Sequence, residues 1–149
     1  VKVSGADDLL IRFAKCCTPV QGEQIVGFIT RGRGITIHRK NCPKLIEMDE
    51  ERLIEVSWDK NSTASQITRI RVETADTAGL LAKMSKIFAE NEANVAAADI
   101  KTNESNRAVC IFDIRIQDIS QLNKIMHNLR KISGVLDVSR MGLSDNDEN

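Results

Sequence analysis

No surplus of either charge marks this sequence: Lys and Arg together number 21, and so do Asp and Glu, for a formal balance of zero. The total therefore points neither to nucleic acid nor to an acidic interaction tail. No apolar run is long enough to cross a membrane and no signal-peptide pattern is present, which predicts a cytoplasmic chain without a membrane partner. In such a reducing compartment the four cysteines are expected to persist as thiols or to bind metal rather than to staple the fold. Neither half offers a nucleotide-binding glycine loop or a dense carboxylate cluster, and the first residue is Val1 rather than methionine. These absences read as a piece cut from something larger.

What is there suits one ordinary globular domain or two small ones: 149 residues, 42% apolar and 28% charged. The distribution of charge says more than its sum. Residues 9–46 hold seven basic side chains (Arg12, Lys15, Arg31, Arg33, Arg39, Lys40, Lys44) against one acid, Glu23, whereas residues 47–59 hold six acids against Arg52. That polarity predicts a cationic surface on the first half, or simply a solvated face.

Two regimes meet at the polar run 60–66, read as a linker between a first domain over 1–59 and a second over 67–143, with a disordered acidic tail at 144–149. In the first domain, 9–14 and 25–30 read as strands, and RGRG at 31–34 reads as a hairpin turn into the alternating Ile35 and Ile37. Asn41 is a candidate N-cap and Pro43 suits a first turn, so Leu45, Ile46 and Met48 are expected on a short helix, with 53–58 as a closing strand. The second domain alternates around Ile70 and Val72 and then reaches DTAGLL at 76–81, where Asp76 or Thr77 can cap a helix. Leu80, Leu81, Met84, Ile87 and Phe88 form one stripe on it. Strands follow over 95–102 and 108–116, then a helix opened by Asp118 or Ser120 and closed by Gly134, then a strand with Leu136 and Val138. The predicted fold class is α+β: a small ββαβ domain, then a ferredoxin-like βαββαβ unit with both helices on one face. An open sheet of that kind has edges to cover, and homodimerisation is one answer.

Three constellations can carry chemistry. Cys16, Cys17, His38 and Cys42 supply the soft and borderline ligands that zinc holds tetrahedrally, with His38 and Cys42 as the distant pair. Adjacent cysteines alternate faces on a strand, so a bend is needed for both to bind one ion. The alternatives are cysteine packing as a small apolar residue, a vicinal disulfide or thiol redox pair, and a Cys/His nucleophile lacking a recognisable third group. Cys110 reads as core. The second constellation is the rim Arg31, Arg33, Arg39 and Lys40, whose forks and ammonium suit phosphate oxygens. Only Phe28 can stack a base there, so RNA would be held by backbone shape. The third is the strand-to-helix turn at Asp76, Gly79 and Leu80, where a glycine lets a ligand approach and helix N–H groups can receive the carboxylate of an amino acid. Gly79 can equally be a packing concession.

The run CCTPVQGEQIVGFITRGRGITIHRKNC at 16–42 resembles the conserved-cysteine, or zinc-finger, domain of the long RelA/SpoT enzymes, bacterial synthetases and hydrolases of the alarmone (p)ppGpp. The unit after it resembles the ACT domain, also called RRM, of the same enzymes. The resemblance implies a zinc site at Cys16, Cys17, His38 and Cys42, and docking on ribosomes whose acceptor site holds uncharged tRNA. The rim Arg31, Arg33, Arg39 and Lys40 would then meet large-subunit rRNA. It further implies control of N-terminal catalytic domains, because GTP pyrophosphokinase and hydrolase motifs are absent from this chain. For some Rel proteins it implies a branched-chain amino acid, here at Asp76, Gly79 and Leu80. A homodimer sensing that amino acid is the rival reading.

Overall fold

Alternating apolar residues build a four-stranded sheet in each predicted domain, mixed in the first and antiparallel in the second. The computed structural model describes residues 2–3, 10–30, 34–48, 50–59, 65–75, 78–103 and 105–143. The predicted tail at 144–149 and residues 60–64 of the predicted linker lie outside the described residues.

In the first domain the strands are β1 (Lys2–Val3), β2 (Leu10–Phe13), β3 (Ile25–Thr30), β4 (Gly34–Arg39), β5 (Leu53–Ile54) and β6 (Val56–Ser57). Strands β3 and β4 pair antiparallel with Thr30 opposite Gly34, as a hairpin requires; its tip at 31–33 lies outside the described residues. Strand β2 lies parallel to β4, giving the order β2-β4-β3-β5, while β1 and β6 form a separate pair. Ile25, Ile35, Ile37 and Val56 make a small core, closed by Phe13 stacked on Trp58 with ring centroids 5.6 Å apart.

The helix expected after Asn41 is replaced by 3-10 turns at Pro43–Glu47 and Glu50–Arg52, so the ββαβ description does not hold. Cys42, not Asn41, takes the cap position, and no side chain caps the turn. Ile46 is 89% exposed. Five residues without a buried face give an α-helix nothing to pack against, and such short pieces settle as 3-10 turns. The closing strand is likewise split at Glu55, its halves pairing with β3 and β1.

The second domain contains β7 (Gln66–Ala75), α1 (Leu80–Glu90), β8 (Asn94–Thr102), β9 (Arg107–Ile116), α2 (Ile119–Arg130) and β10 (Val135–Met141). This is the predicted βαββαβ order. The sheet runs β10-β7-β9-β8, wholly antiparallel. Register Ile70↔Phe112 and Val72↔Cys110 puts these four on one face, under Met84, Phe88, Leu122, Ile125 and Leu129 of the two helices. Phe88 meets Phe112 edge-on, with centroids 4.9 Å apart. Cys110 is buried in this core, as expected.

Asp118 caps α2 by accepting from the Gln121 N–H at 2.8 Å, an arrangement worth about 1 kcal/mol. The start of α1 differs from expectation. Gly79 holds the cap position at φ +85 with no side-chain cap bond, while Asp76 and Thr77 lie outside the described residues. A Cβ on Gly79 would meet nothing within 4 Å, so the glycine answers a left-handed backbone rather than crowding. Leu136 is 52% exposed although Val138 is buried, because the register shifts between Val135 and Asp137.

The two domains touch. Val20, from the first domain, is fully buried in the same cluster as Ile114 and Leu122. The Gln21 carbonyl accepts from the Ile119 N–H at 2.7 Å, and the Thr18 and Thr68 hydroxyls lie 2.9 Å apart.

Candidate metal centre

The bend that adjacent cysteines require is present. Residues 15–17 form a turn closed by the Thr18 N–H donating to the Ala14 carbonyl at 2.9 Å, and Thr18 follows at φ +41. Cys16 and Cys17 therefore point to one side, toward His38 near the end of β4 and Cys42 just before the first 3-10 turn. The ligand atoms of all four lie within 4.8 Å of one another.

From Cys16 Sγ the distances are 3.5 Å to His38 Nδ1, 3.6 Å to Cys42 Sγ and 4.0 Å to Cys17 Sγ; Cys17 Sγ to His38 Nδ1 is 3.8 Å. Bonds of about 2.3 Å to sulfur and about 2.0–2.1 Å to nitrogen give a tetrahedron with edges of about 3.4–3.8 Å. The donor set fits a zinc-type ion in number, chemistry and spacing. The sulfurs of Cys16 and Cys17 are too far apart for a disulfide, and all four cysteines are free.

Burial raises the Cys16 thiol, helped by the neighbouring Cys42 sulfur. It pushes Cys17 up to about 12, although the Arg39 N–H donating to Cys17 Sγ at 3.3 Å pulls the other way. For His38, burial and then the Lys44 ammonium lower the pKa, which keeps the imidazole neutral and its nitrogen lone pair available. Without an ion the pocket thus holds protonated Cys16 and Cys17. A divalent cation reverses that preference by stabilising thiolates directly.

With this geometry in view, comparison with known proteins is decisive. The RelA/SpoT RIS domain matches residues 1–59 and the ACT domain matches residues 62–140. The chain belongs to the RelA/SpoT family. It is 40% identical over 141 residues to a GTP pyrophosphokinase of Myxococcus xanthus, covering 95% of this chain and 19% of that protein. It is 34% identical over 143 residues to the bifunctional (p)ppGpp synthase/hydrolase RelA of Mycobacterium tuberculosis, again 95% of this chain and 19% of that protein. The chain thus spans about a fifth of the length of these curated relatives. Among solved structures, the ACT domain from GTP pyrophosphokinase of Chlorobium tepidum aligns with a TM-score of 0.47 at 20% identity, over 52% of this chain and 100% of that one.

Of the remaining predicted site residues, Arg39, Lys40, Gly79 and Leu80 are described. In the RIS domain, Arg31 and Arg33 lie outside the described residues. Lys40 is exposed, whereas Arg39 is turned inward, its Nε 3.0 Å from Glu23 Oε2 in an ion pair without an aligned hydrogen bond. In the ACT domain, Asp76 lies outside the described residues, Gly79 faces open space and Leu80 is buried in the core. Sequence reasoning missed Glu23, Thr18 and Arg140, which join the RIS and ACT domains beside the cysteines. Glu23 had a signal, being the lone acid of the basic run.

The raised thiols give a pH prediction. An ion must displace the protons of at least Cys16 and Cys17, so affinity should rise with pH by a factor of at least about a hundred per unit between pH 6.5 and 8. Proton competition from His38 enters only below 6.5. Chelator competition across that window checks it, and a flat profile would exclude thiolate ligation.

Proposed function

We propose that this chain is the non-catalytic regulatory module of a (p)ppGpp synthetase/hydrolase, docking on the ribosome and controlling the catalytic half. The observation that carries the reading is the tetrahedrally spaced Cys16, Cys17, His38 and Cys42 cluster inside a RelA/SpoT RIS domain. Zinc held there by three Sγ atoms and His38 Nδ1 would cross-link the turn at 15–17 to β4 and the Pro43–Glu47 turn. A structural ion of that kind holds a small domain in one conformation. The exposed Lys40 and Lys44 flank the cluster, so a metal-held loop offers rRNA phosphates basic side chains without a large ordering loss. No helix among the described residues is long and apolar enough to cross a membrane.

The parent's activity follows from the relatives' names: pyrophosphate transfer to GTP and hydrolysis of (p)ppGpp, in domains outside this chain. Docking where uncharged tRNA occupies the acceptor site withdraws the module from those domains and shifts the population toward the synthetase-on state. Reversing Arg31, Arg33 and Lys40 to Glu should weaken ribosome co-sedimentation. The logarithmic salt slope should flatten by roughly 0.7–0.9 for each phosphate no longer neutralised. Unchanged co-sedimentation with an unchanged slope would sink the docking surface.

A further inference from the structure

The two domains meet through a loop that also carries half of the metal ligands. Arg140, on β10 of the ACT sheet, is mostly buried and reaches across to it. Its Nη1 donates to Glu23 Oε2 at 2.7 Å, and its Nη2 to the carbonyls of Thr18 at 2.7 Å and Cys17 at 3.4 Å. Glu23 Oε2 also pairs with Arg39, whose own N–H donates to Cys17 Sγ. Glu23 Oε1 accepts from the Val20 N–H at 2.9 Å, tying the same carboxylate to the residue plugged into the ACT core. Gly142, two residues past Arg140, runs so close to the Cys16 carbonyl that a Cβ there would overlap it.

The local turn that brings Cys16 and Cys17 to one side ends on a strained residue. Thr18 sits at φ +41, a region costly for a residue with a branched side chain, and such a conformation persists only where its surroundings over-determine it. Beyond the Ala14 carbonyl that holds the Thr18 N–H, the groups that fix this residue come from the ACT domain: Arg140 on the Thr18 and Cys17 carbonyls, and Thr68 on the Thr18 hydroxyl. A planar guanidinium can grip a carboxylate and two carbonyls at once, which an ammonium cannot reproduce in the same directions.

We infer that Arg140 is a positioning residue of the four-ligand cluster, so that metal affinity in the RIS domain and docking of the ACT domain are one coupled equilibrium. The inference rests on the metal reading given above. Coupling is reciprocal: whatever factor the docked ACT sheet adds to metal affinity, the bound ion adds to docking. The candidate metal centre is thus completed by a strand more than a hundred residues downstream of Cys16 and Cys17, with Cys17 and Arg140 separated by 123 positions.

The test is a cobalt(II) titration of the 149-residue chain followed by its thiolate-to-metal absorption, with zinc competition, for wild type, Arg140→Ala, Arg140→Lys and Thr68→Val. Docking is read in the same samples from amide exchange at Ile119, whose N–H is held by Gln21. Arg140→Ala should weaken affinity by about 10- to 100-fold while leaving tetrahedral cobalt bands at saturation. Arg140→Lys should fall between, and Thr68→Val should weaken binding less, in the same direction. Removing metal from the wild type should speed Ile119 exchange by a factor comparable with the affinity loss. Continued protection at Ile70 and Phe112 separates this from unfolding of the ACT sheet; if Arg140→Ala loses it, Thr68→Val decides. Equal affinities in all four proteins, with Ile119 exchange indifferent to metal, would overturn the coupling and leave the metal reading standing. Wild type without cobalt bands would overturn both.

Discussion

Phe112→Ala is expected to destabilise the ACT sheet by about 3–5 kcal/mol, a large share of the roughly 5–15 kcal/mol that usually holds a domain folded. Phe112 is 2% exposed at the centre of β9, opposite Ile70 and Ala98, and its ring meets Phe88 of α1 edge-on. Removing it forfeits burial and the aromatic pairing, and leaves a hole that neither the strand nor the helix can fill by small shifts. Leu136→Ala, at a side chain 52% exposed, should stay within about 0.5 kcal/mol and serves as the control. Urea unfolding followed by far-ultraviolet circular dichroism gives both numbers. A loss below about 1 kcal/mol for Phe112→Ala would mean that the helix face of the sheet is not the packed core described above.

Cys42→Ser should release the ion and unfold the RIS domain while the ACT sheet keeps its secondary structure. Structural zinc contributes about 10–16 kcal/mol of apparent binding free energy in small metal-dependent folds. The RIS domain has little else to replace it, since its apolar core consists of Ile25, Ile35, Ile37 and Val56 with Phe13, Ile54 and Trp58 packed alongside. A separate buried patch of Ala14, Cys17 and Cys42 depends on the ligands themselves. Trp58 is the single tryptophan of the chain, is stacked on Phe13, and donates from Nε1 to the Glu23 carbonyl at 2.8 Å. Its emission therefore reports on the RIS domain alone. A red shift in Cys42→Ser, or in wild type after chelation, is the expected result. Emission that stays put after complete removal of metal would show that the ion is dispensable for the fold.

Much of this was legible from residues close together in the chain. Alternation around Ile70 and Val72 and over 108–116 needed no tertiary information, because a strand's two faces are written two residues apart, whereas Gln66, read as linker, is the first residue of β7. Asp118 is readable as a cap because its oxygen meets an N–H three residues away. Cys16, Cys17, His38 and Cys42 stood out by their ligand chemistry, although core packing, a thiol pair and a nucleophile remained open until the fold brought the four together. The 43–47 turn was misread because five residues carry too little periodicity to separate an α-helix from a 3-10 turn, and Pro43 suits both. At Gly79 a sequence shows that a side chain is missing, not whether space or backbone angle requires it. Arg140 had no signal, for its partners are three residues of another domain and its own strand reads as an ordinary edge.

The span between those partners has a kinetic side. The Arg140–Glu23 pair closes a stretch of 117 positions, whereas the β9–β8 ladder joins neighbouring strands. Closing the longer loops costs more chain entropy before any contact repays it. The Arg140–Glu23 contact is therefore the costlier one to close early, which favours its forming after the sequence-local ladders.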